Sequence, residues 1–276
     1  MNAFKERCIT LRKQDYTLNE IVKITGRPKT SVHFHIQHIQ LSQDKQRAIS
    51  EANRKRILEI SINRKGVSAR KFRKFTGWNE CRVSLISHLL FDGEIKHGGC
   101  VYNNRNLALI GMVQKQMSQV YDFEPKPYFN NITGVNRISY FNVALSAYFK
   151  EKSINLIEHV VSMPINLKRE FLKAFFDDEG CMDFRPKRNL RRVRGYQKDN
   201  RILYIVQKLL LDFKILSKIQ KPNEIVIGGK ENLERFRKQI NFSQGVRING
   251  NRSNSIWKKS LEKRVLLDQA IKSFKH

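Results

Sequence analysis

The sequence predicts an α+β protein in which one unit, running helix, strand, strand, helix, strand, strand, helix, occurs twice behind a small all-α block. Three observations carry this. Two apolar helical stretches end in an acid followed by glycine and pass at once into a short extended run; their acids, Asp92 and Glu179, stand 87 residues apart. The helix and strand patterns that follow each acid come in the same order, and a repeated order is stronger evidence than any single element. Ahead of both, residues 16–39 pattern as two short helices around a glycine.

Composition limits the function classes. The 276 residues carry 53 Lys and Arg against 25 Asp and Glu, a formal charge of +28, with 40% hydrophobic content. That hydrophobic share supports real cores, so a disordered basic tail is excluded. The excess charge needs a counter-charge, and nucleic acid rewards it through counterion release. No amphipathic helix combines one basic face with one wide apolar face, which argues against a membrane surface. The start of the chain has no apolar signal and no stretch is long enough to span a bilayer, so a cytoplasmic, free-standing product is expected. Cys8, Cys81, Cys100 and Cys181 form no CxxC pair and read as reduced thiols.

The first block, 1–45, contains YTLNEIVKITGRPKTSVHFHIQHI from Tyr16 to Ile39. Thr17 followed by Glu20 has capping-box spacing, and Leu18, Ile21, Val22 and Ile24 make an apolar stripe. Gly26 breaks the helix, Pro28 suits the first turn of the next, and Val32, Ile36 and Ile39 continue at helical spacing. This pattern resembles a helix-turn-helix DNA-binding domain. The resemblance would give the second helix exposed contacts at Lys29, Thr30, Ser31, His33 and His35, all able to meet base edges or phosphates. Residues 46–78 read as a very basic, partly helical connector.

The first repeat, 79–165, opens with LISHLLFDGEIKHGGCVY (Leu85 to Tyr102); the second, 166–276, with FLKAFFDDEGCMDFR (Phe171 to Arg185). A helix follows each hairpin, NLALIGMVQKQMSQVY from Asn106 and NRILYIVQKLLLDF from Asn200, and then a second pair of strands and a closing helix. Each repeat should fold its four strands into one antiparallel sheet. A carboxylate at a helix C-terminus faces the negative end of the dipole, so a cation should compensate each acid. Two such acids brought together offer hard oxygen ligands for Mg²⁺.

These motifs resemble those of the LAGLIDADG homing endonuclease family in its single-chain form, over about residues 79–265. The resemblance implies a duplicated αββαββα saddle on double-stranded DNA, with the motif helices packed at a pseudo-twofold axis in one monomeric chain. It implies that Asp92 and Glu179 are the catalytic acids and Mg²⁺ ligands. Ser87 and Ala174 are small where the family packs its helices closely, and Asp177 retains the family's other acid. The first motif departs from the pattern, with His88 at an apolar position, Leu90 in place of the acid and bulky Phe91. Family enzymes also hold a basic residue near the metals, for which Arg247, Lys258 and Lys259 are candidates.

Net charge is +11 over 1–80, +3 over 81–168 and +14 over 169–276. Its densest cluster supplies the expected DNA contacts Arg185, Lys187, Arg188, Arg191, Arg192 and Arg194. A strand here puts Arg192 and Arg194 on one face and Arg191 on the other. The leading expectation is a site-specific, Mg²⁺-dependent DNA endonuclease. Two alternatives stand beside it: a non-cutting DNA-binding regulator that keeps the fold, and an intron maturase that binds its own intron RNA.

Overall fold

The computed structural model describes residues 3–68, 70–250 and 256–274, with the backbone alone for Leu58 and for residues 61–68. The chain divides into two compact units, Met1–Ala69 and Arg70–His276. That boundary splits the stretch 46–78 read as a connector, and residue 69 within it lies outside the described residues.

The first unit holds helices α1 (Ala3–Lys13), α2 (Leu18–Thr25), α3 (Lys29–Ile36) and α4 (Gln43–Ser68). The capping box forms as expected: Glu20 N donates to Thr17 Oγ1 at 3.3 Å, and Thr17 N donates to Glu20 Oε2 at 2.6 Å. Gly26 closes α2 at φ 65°, a left-handed conformation that a side chain would strain, and Pro28 caps α3 from just outside its first turn. Cys8, Ile21, Val32 and Ile36 form a small core, with Phe4, Leu11, Leu18 and Val22 packed around it. Helix α1 adds to the predicted elements; its stripe Phe4, Cys8, Leu11 has helical spacing but is diluted by basic residues. Ile24, expected in the apolar stripe, is exposed, and His35, expected on the exposed face, is half-buried with its ring edge-on to Phe4 at 5.5 Å.

In the second unit the predicted order recurs twice. The first repeat is α5 (Glu80–Phe91), β1 (Gly93–Lys96), β2 (Gly99–Asn104), α6 (Leu107–Ser118), β3 (Tyr128–Asn130), β4 (Val135–Tyr140) and α7 (Val143–His159). The second is α8 (Ile165–Asp178), β5 (Gly180–Arg185), β6 (Leu190–Tyr196), α9 (Asn200–Asp212), β7 (Lys218–Gln220), β8 (Glu224–Gly228) and α10 (Lys230–Gln239), followed by an additional helix, α11 (Lys263–Lys272). The two antiparallel sheets run β1-β2-β4-β3 and β5-β6-β8-β7, the same order in both repeats.

Helices α5 and α8 pack against each other, and α5 is buried continuously from Val83 to Leu89, as a helix must be when neighbours surround it. Ser87 and Ala174 are both buried, and the bulky Phe91 meets the edges of Phe171 and Phe175 across the pair at 5.4 and 5.3 Å. The two acid-Gly turns have a steric cause rather than a left-handed one. Neither Gly93 nor Gly180 has a positive φ; a Cβ at Gly93 would lie 2.4 Å from Leu89 Cα, and one at Gly180 2.4 Å from Phe176 O. The strand therefore leaves each helix end so tightly that only glycine fits.

Arg70 to Trp78 belongs with this core. Phe75 is buried, its N–H donates to Tyr148 Oη at 2.7 Å, and the Tyr148 hydroxyl donates to Phe75 O at 2.8 Å, while Phe72 bridges to Tyr121. A fragment beginning at Arg70 should therefore retain a cooperative melting transition. One beginning at Thr76 should lose on the order of 3 kcal/mol or more, the cost of emptying a buried aromatic site. Urea unfolding of the two fragments, followed by circular dichroism, measures the difference.

Candidate functional site

Asp92 and Glu179 occupy the C-cap positions of α5 and α8 and line one cleft of about 1200 Å³. Each backbone carbonyl is engaged in the same way: Asn103 N–H donates to Asp92 O at 3.2 Å, and Tyr196 N–H to Glu179 O at 3.1 Å. Each carboxylate also has an amide partner from an equivalent place, two residues before the N-cap of the repeat's middle helix. Asn104 Nδ2 donates to Asp92 Oδ2 at 2.6 Å, and Gln197 Nε2 to Glu179 Oε1 at 3.4 Å. The oxygen of each amide accepts the N-cap's own N–H, Asn106 at 2.8 Å and Asp199 at 3.3 Å, which turns the NH₂ toward the acid. The first-repeat acid is thus held more closely than the second.

Two irregular motif positions explain each other. His88, at an apolar position of the first motif, has Nδ1 2.8 Å from Asp178 Oδ2, and Asp178 is the second-motif equivalent of the bulky Phe91. Both side chains are fully buried. Tyr102 donates its hydroxyl proton to Asp178 Oδ1 at 2.7 Å. Burial pulls the His88 pKa down, but the facing Asp178, with Asp177 and Asp92 behind it, outweighs burial and the net direction is up.

The compensating cation expected at the helix end is Lys263, on α11. It is buried, and its ammonium donates to Asp177 O at 2.7 Å and Phe176 O at 3.3 Å, carbonyls of the last turn of α8. Desolvation lowers its pKa although Asp177 opposes that. Of the basic residues that are candidates for a place near the metals, Arg247 lines the same cleft and donates to Ser260 Oγ at 3.1 Å and Ser260 O at 2.8 Å, and Lys258 and Lys259 are exposed. Residues 251–255, in the same stretch, lie outside the described residues. Asp177 accepts Ser243 N–H at 2.8 Å, and burial raises its pKa. Burial first, then Asp178 and Glu179, push Asp92 to about 8; burial and Asp178 push Glu179 to about 7.

Residues 166–241 match the family model of the LAGLIDADG-like domain. The match covers the repeat whose motif is regular. By structure the chain is similar to I-DmoI in complex with DNA and Mn, at 17% identity and a TM-score of 0.44, over 59% of this chain and 97% of that one. It is similar to I-WcaI bound to its DNA recognition sequence at 18% identity and 0.45, over 62% and 86%. For the N-terminal LAGLIDADG domain of DUF199/WhiA the values are 14% and 0.46, over 62% and 88%. Comparison with curated proteins gives no significant match.

The basic cluster of the LAGLIDADG-like domain sorts by strand face. Arg192 and Arg194 lie on one face of β6, and Arg185 and Arg194 line the cleft. Their charge is partly balanced within the sheet: Asp183 pairs with Arg185 at 2.7 Å, Arg192 at 2.9 Å and Arg194 at 3.6 Å, and Glu224 of β8 also pairs with Arg194. Three guanidinium groups thus share two carboxylates, and the group keeps a net positive charge. Lys187 and Arg188 are exposed in the β5–β6 turn. Arg191 is on the opposite face, bound to Ser273 Oγ at 2.6 Å and Ser273 O at 2.9 Å, with its guanidinium 4.9 Å above Phe274. In the first unit, Lys29, Thr30, Ser31 and His33 are all exposed on α3.

The raised carboxyl pKa values have a stability consequence. An acid that is harder to ionise in the fold than in the unfolded chain favours the fold below its unfolded pKa, and that contribution is lost as pH rises through the folded value. For Asp92 and Glu179 the window runs from about 4 to about 7–8. With chelator present, unfolding free energy should fall from pH 5.5 to 8.5, and Asp92→Asn should flatten the slope and exceed wild type at pH 8.5. Urea titrations across that range check both signs.

Proposed function

We propose that the Arg70–His276 unit is a site-specific double-stranded DNA endonuclease using Mg²⁺, with Asp92 and Glu179 as its metal-holding acids. In this reading the Met1–Ala69 unit is a helix-turn-helix that adds affinity and specificity. The observation that carries it is the meeting of two helix-terminal acids in one cleft, each gripped by an amide from the same place in its repeat. The likeness to the LAGLIDADG-like domain supports it.

The donor set fits Mg²⁺. Buried, mutually repelling carboxylates raised to about 8 and about 7 mark a cluster short of positive charge, and their oxygens are hard ligands. Among the described residues no three His, Cys, Asp or Glu side chains form a cage. One or two carboxylates completed by substrate phosphate oxygens is a usual arrangement for Mg²⁺. Bound there, the ion would polarise the phosphoryl oxygen and lower the pKa of a water molecule. The chain's own contribution is positional. Asn104 and Gln197 hold the two acids in orientation, Lys263 offsets their charge against the α8 dipole, and Arg185 and Arg194 meet phosphates at the cleft wall.

Glu179→Gln preserves size while deleting a charge, so cleavage of supercoiled DNA carrying the native flanking sequence should fall by about two orders of magnitude or more. DNA affinity should hold or rise. Digestion with Mg²⁺, Mn²⁺ or chelator, for wild type, Glu179→Gln and Asp92→Asn, tests the claim. Specific binding by a wild type that cuts with neither metal would transfer the fold to the regulator reading.

Binding itself should weaken steeply with salt. Replacing Lys187 or Arg188 by Ala should lower the log K against log salt slope by about 1 each. Arg191→Ala should leave the slope unchanged and lower the melting temperature instead, because its guanidinium holds Ser273 and covers Phe274. Filter binding over a salt series, together with thermal melts, separates the two effects.

A further inference from the structure

Helix α3 presents a phenylalanine to solvent. Val32 and Ile36 are buried, and Phe34, two positions from each, lies on the opposite side at 70% exposure. Thr30 and Gln37 share its side at helical spacing, flanked by Ser31, His33 and His38, all exposed. The Phe34 ring meets the edge of His35 at 5.4 Å, which helps to orient it. Lys29 is the one Lys, Arg, Asp or Glu in α3. The face is therefore free of acidic side chains and hydrogen-bonding around an apolar centre, inside a unit whose 14 Lys and Arg against 6 Asp and Glu over residues 1–69 give a net charge of +8.

The two properties divide the work of binding. Net positive charge draws the unit to phosphates without regard to sequence. A face of hydroxyls, amides and imidazoles complements base edges, and a bare aromatic ring needs an apolar counterpart among them. In the major groove thymine supplies one, its C5 methyl beside the O4 acceptor, and a helix about 10–12 Å across matches a groove about 12 Å wide. We propose that α3 reads double-stranded DNA in the major groove and that Phe34 selects thymine through its methyl group. This deepens the helix-turn-helix reading and rests on it.

The test uses the full chain. Wild type, Phe34→Ala and Phe34→Leu are used to enrich duplexes from a randomised pool, and each thymine of the wild-type duplex is then replaced by deoxyuridine, which lacks only the methyl. At one or two thymines the replacement should weaken wild-type binding about fourfold, the value of burying one methyl-sized group. Phe34→Ala should bind the two duplexes equally, and Phe34→Leu should keep part of the discrimination. An unchanged melting temperature verifies folding; if the Ala variant unfolds, Phe34→Leu carries the comparison, and wild-type discrimination in full would count against Phe34.

Absence of any uridine-sensitive thymine overturns the proposal, as does sensitivity that persists in Phe34→Ala. Self-association abolished by Phe34→Ala, seen by sedimentation, would assign the ring to a second copy of the chain and also overturn it. Salt-dependent binding with no enriched sequence defeats this inference alone. A wild type with no salt-dependent duplex binding at all defeats the DNA reading with it.

Discussion

Bringing two helices together so that both end in acids at one cleft concentrates Asp92, Asp177, Asp178 and Glu179 at the negative ends of two helix dipoles, largely away from water. Burial and the charge of neighbouring carboxylates oppose the ionisation of Asp92 and Glu179, raising them to about 8 and about 7. Much of the second unit's polar interior serves this constraint. Lys263 reaches in from α11 to the carbonyls of α8, His88 reaches across from α5 to Asp178, and Ser243 gives its backbone N–H to Asp177. Helix α11 lies beyond the repeated unit.

Pseudo-symmetry of the backbone therefore coexists with asymmetry of the site. Strand order, glycine packing and the carbonyl bonds of Asp92 and Glu179 agree between repeats. The side chains do not: Asp92 is gripped at 2.6 Å by an amide whose oxygen is anchored at 2.8 Å, while the matching distances at Glu179 are 3.4 and 3.3 Å. His88 and Asp178 make the two motif helices non-interchangeable, because the residue of α8 equivalent to His88 is Phe175, and pairing α8 with a copy of itself would set Asp178 against that phenylalanine with no hydrogen-bond partner. Buried, hydrogen-bonded ion pairs of this kind are best attested as devices of specificity rather than stability.

Much of the architecture was legible in the chain because it depends on local or periodic signals. The capping box at Thr17 and Glu20, the acid-Gly helix ends and the repeated order of elements are each written within a few residues or by recurrence, and each has its place in the structure. Helix α1 was harder to read because its apolar stripe is thin, and α11 because it falls outside the repeat. The strand face of Arg191, opposite Arg192 and Arg194, followed from alternation alone, but its binding to Ser273 depends on where α11 ends.

By itself the sequence determined the duplicated α+β plan, the two acids and their equivalent positions, and the positive charge that calls for a polyanion, since periodicity, spacing and composition are one-dimensional properties. Tertiary structure alone decided which buried cation sits at the end of α8, why His88 and Asp178 are tolerated, and which arginines pair with Asp183 and Glu224. His88 and Asp178 are 90 residues apart, and Lys263 lies 86 residues beyond Asp177. No local pattern encodes such partnerships, because they are set by the packing of α5 on α8 and of α11 on the second repeat, and electrostatic energy depends on distance in space rather than along the chain.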